Sequence, residues 1–177
     1  MRILKKALLY DIANMAFTIA DCGDPANHSL HRVRDICEDG NIDRVSRILA
    51  LAYANLLAAL LPILKAPPKP GRDSDSHKKD CPGDEETERS RDYYFFFRKN
   101  GAMKFILTKE RELKIKEFAH EYMVCMVLAD WLGVTLPEAA DVWKFRAKGA
   151  LEALKEESAN MVRSASGASL KRRLSPF

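Results

Sequence analysis

Several features are scarce in this chain of 177 residues, and each scarcity removes a class of protein. The four cysteines, Cys22, Cys37, Cys81 and Cys125, never form a C-x-x-C pair, which excludes a zinc ribbon and a thioredoxin-like redox motif. Cys37 and Cys125 lie in apolar-periodic segments, where a free thiol behaves as a small hydrophobe, and Cys81 lies in a polar stretch that exposes it. That usage suits a reducing compartment. No uninterrupted apolar run approaches the ~18 residues of a bilayer crossing, so no membrane partner is expected. Arg2, Lys5 and Lys6 precede apolar residues as in a signal peptide, but Asp11 and Asn14 interrupt the run and no small-residue cleavage pattern follows. Neither sign of charge dominates: 29 Lys plus Arg against 25 Asp plus Glu leave +4, too little to imply nucleic-acid binding on its own.

Reaction chemistry is equally sparse. No glycine-rich phosphate loop and no G-x-S-x-G elbow occur. His120-Glu121 begins like the zincin helix H-E-x-x-H, but Val124 occupies the fifth position, so the second imidazole is missing and His120 reads as a helix-surface or core-edge residue. His28 and His31, three apart, lack a fourth ligand at a credible spacing. Asp130, beside Trp131, is the acid best placed for a structural hydrogen bond. The chain is therefore expected to have no catalytic residue, no cofactor and no metal ligand.

What is present is helical patterning, in a chain of 47% apolar residues long enough to bury a core. Leu4, Leu8, Ile12, Met15 and Ile19 step by three or four and share one helix face. Ser29 can cap a short helix through Leu30, Val33, Ile36 and Cys37, with Gly40 as its left-handed stop. Asn41 can cap a longer one carrying Ile42, Val45, Leu49, Ala52, Leu56 and Leu60, ended or kinked by Pro62. A fourth stripe passes through Leu113, Lys116, Tyr122, Met126 and Ala129 and breaks at Gly133. Thr135-Leu136-Pro137-Glu138 then reads as a capping box for a last helix with Ala140, Trp143, Ala147, Leu151 and Leu154 on one face. Helices are expected over 3–21, 29–39, 42–63, 109–132 and 137–163.

Between the helical halves, residues 66–92 hold four prolines, two glycines and both signs of charge. They are expected to form a flexible linker, its acidic run Asp84–Glu88 a solvated one. Asn100-Gly101 then sits between two apolar runs, the dipeptide of a two-residue hairpin turn, so a β-hairpin is expected at 93–108. Alternation puts Tyr94, Phe96, Met103, Phe105 and Leu107 on one face and Tyr93, Phe95, Phe97 and Ile106 on the other. With one face on the chain's own helices, the second is expected to be a protein interface; the alternative is that both helical halves sandwich the hairpin. The fold class is thus mainly α, a bundle of about five helices with one β-hairpin and a long flexible loop. It divides into an N-terminal helical segment (1–65), the linker (66–92), a hairpin plus two-helix segment (93–163) and a basic tail (164–177). Lys171, Arg172 and Arg173 in that tail are the candidate nucleic-acid contacts.

Several stretches resemble a family of proteins from tailed phages and prophages of gut bacteria. They are Leu9-Tyr10-Asp11-Ile12, the run from Asp35 to Val45, His120-Glu121-Tyr122, Ala129-Asp130-Trp131-Leu132, Pro137, Trp143 and Ser175-Pro176-Phe177. The resemblance spans both helical parts and skips the linker. An acid-aromatic helix end followed by a capped helix is also similar in outline to head–tail connector (neck) proteins. The resemblance implies a non-enzymatic virion structural or assembly protein, a homo-oligomer meeting portal or tail components, located in the virion or in the bacterial cytoplasm during assembly. The alternative expectation is a small nucleic-acid-binding or regulatory module acting through the basic tail.

Overall fold

The computed structural model describes residues 1–23, 29–64, 92–97 and 108–173, with side chains as far as Val162. Among them five α-helices pack into a bundle around one core. They are α1 (Lys5–Asp21), α2 (Ser29–Arg34), α3 (Ile42–Leu60), α4 (Lys109–Thr135) and α5 (Pro137–Arg173), with a 3-10 turn at Asp35–Cys37 continuing α2.

The two outer helices obey the simplest rule. α3 buries Val45, Leu49, Ala52, Leu56 and Leu60, all completely, and α1 buries Leu8, Ile12, Ala16 and Ala20. Each set steps by three or four, so one stripe meets the core and the remainder meets water. On α1 the stripe is rotated slightly from the expected one: Ala16 and Ala20 are innermost, with Met15 and Ile19 at the edge. α3 stops at Leu60, before Pro62, whose missing N–H cannot continue the ladder. Asn41 occupies the expected cap position, yet its side chain donates to the Asp35 carbonyl at 2.8 Å and closes the preceding turn. Gly40 is not left-handed, so that tie replaces the glycine stop. Gly23 marks a close approach, since a Cβ there would stand 2.5 Å from Leu30 Cδ1.

α4 is different. It packs along α5 and also touches α1, α2 and α3. Its buried residues are Ile115, Ala119, Tyr122 to Cys125, Val127 to Ala129, Trp131 and Leu132, which leaves no polar face through its middle. A helix apolar all round is one with neighbours on several sides. The expected stripe was therefore too narrow and partly misdirected: Leu113 is 57% exposed and Lys116 is exposed. The helix also runs through Gly133, which faces open space, and a helical glycine costs only about 1 kcal/mol. Thr135, expected to open the capping box, instead finishes α4 by donating its hydroxyl to the Trp131 carbonyl at 3.0 Å. Leu136 alone joins the two helices, and Pro137 takes the first-turn position where an N–H is not needed. α5 continues to Arg173, beyond the expected end at 163. At 1.5 Å per residue its length is about 55 Å against about 40 Å for α4.

The described strand pairing is short. β1 (Arg2–Ile3) and β2 (Tyr93–Tyr94) are antiparallel, with Arg2 opposite Tyr94 and Ile3 opposite Tyr93. Phe95 continues the ladder by donating to the Met1 carbonyl at 2.9 Å, and Leu64 bridges Phe97. The Asn100-Gly101 turn, the return strand with Ile106, and residues 66–91 of the expected linker lie outside the described residues. Asp92 closes the pairing by accepting the Lys5 backbone N–H at 3.0 Å and the Arg2 guanidinium. Those two donors, the Lys5 N–H first, hold its carboxyl below the usual carboxylate range.

The face expected as an interface turns inward. Phe95 is 1% exposed, and Tyr93 and Phe97 pack on the core, whereas Tyr94 and Phe96 face solvent and stack with centroids 6.5 Å apart. Tyr53 of α3 is the reason: its ring meets Tyr93 at 5.0 Å and Phe95 at 5.1 Å. Burial there pushes the Tyr93 phenol up to about 12. Tyr93, Phe95 and Phe97 thus cover the chain's own core and the interface assignment for them is withdrawn; with Tyr94 45% and Phe96 48% exposed, the described residues do not match the sandwich alternative either, which buries both faces.

Candidate functional site

α4 leaves one side incompletely covered, and a groove of about 540 Å³ lies there between α1, α4 and α5. Helix spacing builds its lining. Leu113, Lys116, Glu117, His120, Glu121 and Val124 recur at three and four along α4, with Cys125 deeper, so one ridge of that helix forms the floor. Asp11 and Met15, four apart on α1, form one wall, and Arg146 of α5 forms the other.

The polar groups on the walls are already clasped. His120 Nε2 lies 2.7 Å from Asp11 Oδ2 and ties α4 to α1. Arg146 donates to Glu121 at 3.1 Å, ties α5 to α4, and lays its guanidinium 4.8 Å from the centroid of the Trp143 ring. Lys116 and Glu117 make no hydrogen bond or ion pair among the described residues. Between these clasps the floor is apolar, from Leu113, Met15, Val124 and the 1% exposed Cys125. Burial pushes the Cys125 thiol up to about 11; the Arg146 cation works against that shift and the Glu121 carboxylate adds to it. The thiolate is the reactive form, so this sulfur stays protonated at neutral pH and acts as floor. No hydrogen bond joins it to His120. Among the described residues, no three His, Cys, Asp or Glu side chains converge as metal ligands. The arrangement is suited to receiving an apolar group between charged rims.

Other residues singled out in the sequence serve the packing. Asp130 accepts from Arg44 Nε at 3.1 Å, and the same guanidinium stands 5.4 Å from the Trp131 ring centroid, while Trp131 Nε1 donates to the Arg32 carbonyl at 3.2 Å. Together they lock the start of α3 and the end of α2 onto the end of α4. Cys37 is half-buried, its thiol raised by burial and 3.6 Å from the Leu9 carbonyl, and Cys22 is exposed. His31 is exposed; His28, Cys81 and the acidic run lie outside the described residues. Lys171, Arg172 and Arg173 stand at the end of α5, where the expected basic tail begins as helix.

Sequence reasoning missed the groove and its two clasps. Asp11 and His120 are 109 positions apart, and no local spacing announces such a pair. Phe145 did carry a signal: it sits on a helix whose core stripe runs through Trp143 and Ala147, so it must face away, and it is 78% exposed.

Fold and groove thus define a mainly α helical bundle with an open groove between two polar clasps. No protein-family model, curated protein or solved structure matches the chain.

Proposed function

We propose that this chain is a non-enzymatic assembly protein, a subunit that docks onto neighbouring protein through its α1–α4–α5 groove. The observation that carries the reading is the pairing of an apolar groove floor with the exposed Phe145 and Val142 on the adjoining helix. Large apolar side chains left in water on a chain that otherwise buries its core mark contact surfaces. Asp11, His120, Glu121 and Arg146 are held in clasps and the Cys125 thiol is kept protonated, which suits rigidity more than turnover.

The virion setting is carried by the resemblance to the phage and prophage proteins, and within it a head–tail connector or neck subunit is the role that fits a small helical oligomer. Its partners are then further copies of itself and the portal or tail components. Segments carrying the resemblance meet in space, Asp11 with His120 and Arg44 with Asp130 and Trp131, and each meeting braces one helix against another. Bracing of that kind gives a subunit the stiffness an assembly joint needs.

Deleting the gene from the replicon that encodes it tests the role. The proposal expects filled heads and free tails that fail to join, seen by electron microscopy, with an antibody to the chain labelling purified wild-type particles. Intact, infectious particles without the protein would overturn it.

A further inference from the structure

We propose that His120 and Asp11 form a pH-sensitive latch across the groove, firm when the imidazole carries a proton and loose when it is neutral. His120 stands on the floor, on α4, and Asp11 on the α1 wall, with Nε2 and Oδ2 2.7 Å apart, so the bond joins the two helices. The two side chains are 27% and 42% exposed, which leaves the pair open to protons from solvent. Other polar ties of α1 sit away from the groove: the Lys5 N–H on Asp92 at its start, Asp21 with Arg34 at its end, and the Leu9 carbonyl facing the Cys37 thiol. The inward neighbours of Asp11, Leu8, Ile12 and Ala16, are apolar and completely buried. The middle of α1 therefore rests on α4 through apolar packing and this one described charged contact.

Histidine is the side chain that ordinarily changes charge between about pH 5 and 8. As imidazolium, His120 donates to the carboxylate in a bond assisted by both charges, roughly twice as strong as one between neutral groups. As neutral imidazole it keeps the contact only in the tautomer with the proton on Nε2, and with one charge fewer. The other charged groups of the lining leave this change in place. Lys116 and Glu117 stand four and three residues before His120 on α4, so one opposes the imidazolium and the other favours it. The Cys125 thiol is uncharged at neutral pH. Arg146 of α5 is engaged by Glu121 at 3.1 Å, and arginine and glutamate ordinarily keep their charges through that range. The groove thus has one clasp that titrates and one that does not. Met15 stands one turn beyond Asp11 on the same wall, so loosening the latch frees that wall and widens the apolar stretch of the groove. The latch acts whatever occupies the groove, and so stands apart from the assembly role.

Hydrogen–deuterium exchange on the purified full chain tests the latch across about pH 5 to 8, with exchange times scaled to the intrinsic rate at each pH. Amides of α1 around Asp11 are expected to lose protection roughly fivefold as pH rises through that range, while those of α3 hold theirs. His120→Gln keeps a donor that cannot titrate, and Asp11→Asn keeps the shape without the carboxylate. Unchanged circular dichroism shows that each is folded, and either variant alone carries the test if the other fails to fold. Protection of α1 in both is expected to be independent of pH. Constant protection in the wild type overturns the proposal. A pH dependence that survives in His120→Gln or Asp11→Asn overturns it too, and assigns the effect to other groups, among them the remaining histidines. So does a loss shared equally by α3, which marks a global change. Particles that assemble without the protein would leave a positive result standing, and constant α1 protection would leave the assembly role standing.

Discussion

α3 and α4 lie side by side and follow opposite rules. α3 has a single buried stripe and leaves Leu51, 59% exposed, on its outer side. α4 is buried through its middle on nearly every side, from Tyr122 to Leu132, with only Met126 and Asp130 less than fully covered. The difference lies in the number of neighbours. A helix with a core on one side needs one apolar face, and that face shows as a 3.6-residue period. A helix in the centre of a bundle needs apolar residues all round, and the period vanishes.

Truncation should break this comparison most sharply. Leu128→Ala in α4 removes a completely buried side chain and is expected to cost about 2–5 kcal/mol by urea denaturation. Leu51→Ala on the outer side of α3 should stay within about 0.5 kcal/mol. Similar losses at both sites would mean that α4 is not the centre of the bundle.

Next in size is the brace between the two helices. Arg44→Ala removes the pair with Asp130 and the contact with the Trp131 ring, and because both charges are partly exposed the expected loss is about 1 kcal/mol. A double-mutant cycle with Asp130→Ala separates the pair from the ring contact. No coupling between the two positions would remove the brace.

A smaller effect is expected where Asp92 ties the N-terminal strand to the start of α1. The carboxyl of Asp92 is lower in the folded chain than in the unfolded one, held there by the Lys5 N–H and then by Arg2. Its contribution is thus fully present above the ordinary carboxylate pKa and is lost as pH falls through the folded value. Thermal denaturation from neutral to acidic pH should show that loss, and Asp92→Asn should flatten the acid side of the profile. An unchanged profile in the variant would remove Asp92 from the linkage.

The smallest change is chemical and leaves the fold intact. In mildly alkaline buffer iodoacetamide should modify exposed Cys22 long before Cys125, whose thiol burial pushes up to about 11. Peptide mass spectrometry over time reads the order, and early labelling of Cys125 would show that α4 opens toward the groove.

The sequence by itself determined the helix count, the buried stripe of α3 and the end of that helix near Pro62, because periodicity and backbone chemistry are local. It also determined that the strand at Tyr93 and Tyr94 would alternate its faces. Tertiary structure alone decided which face turns inward, since Tyr53 lies on another helix and sets that choice through two ring contacts. It decided likewise that α4 is central, that Thr135 ends a helix instead of starting one, and that Asp11 reaches His120 across 109 positions. Each of these depends on which elements become neighbours, and local patterning carries no record of distant partners.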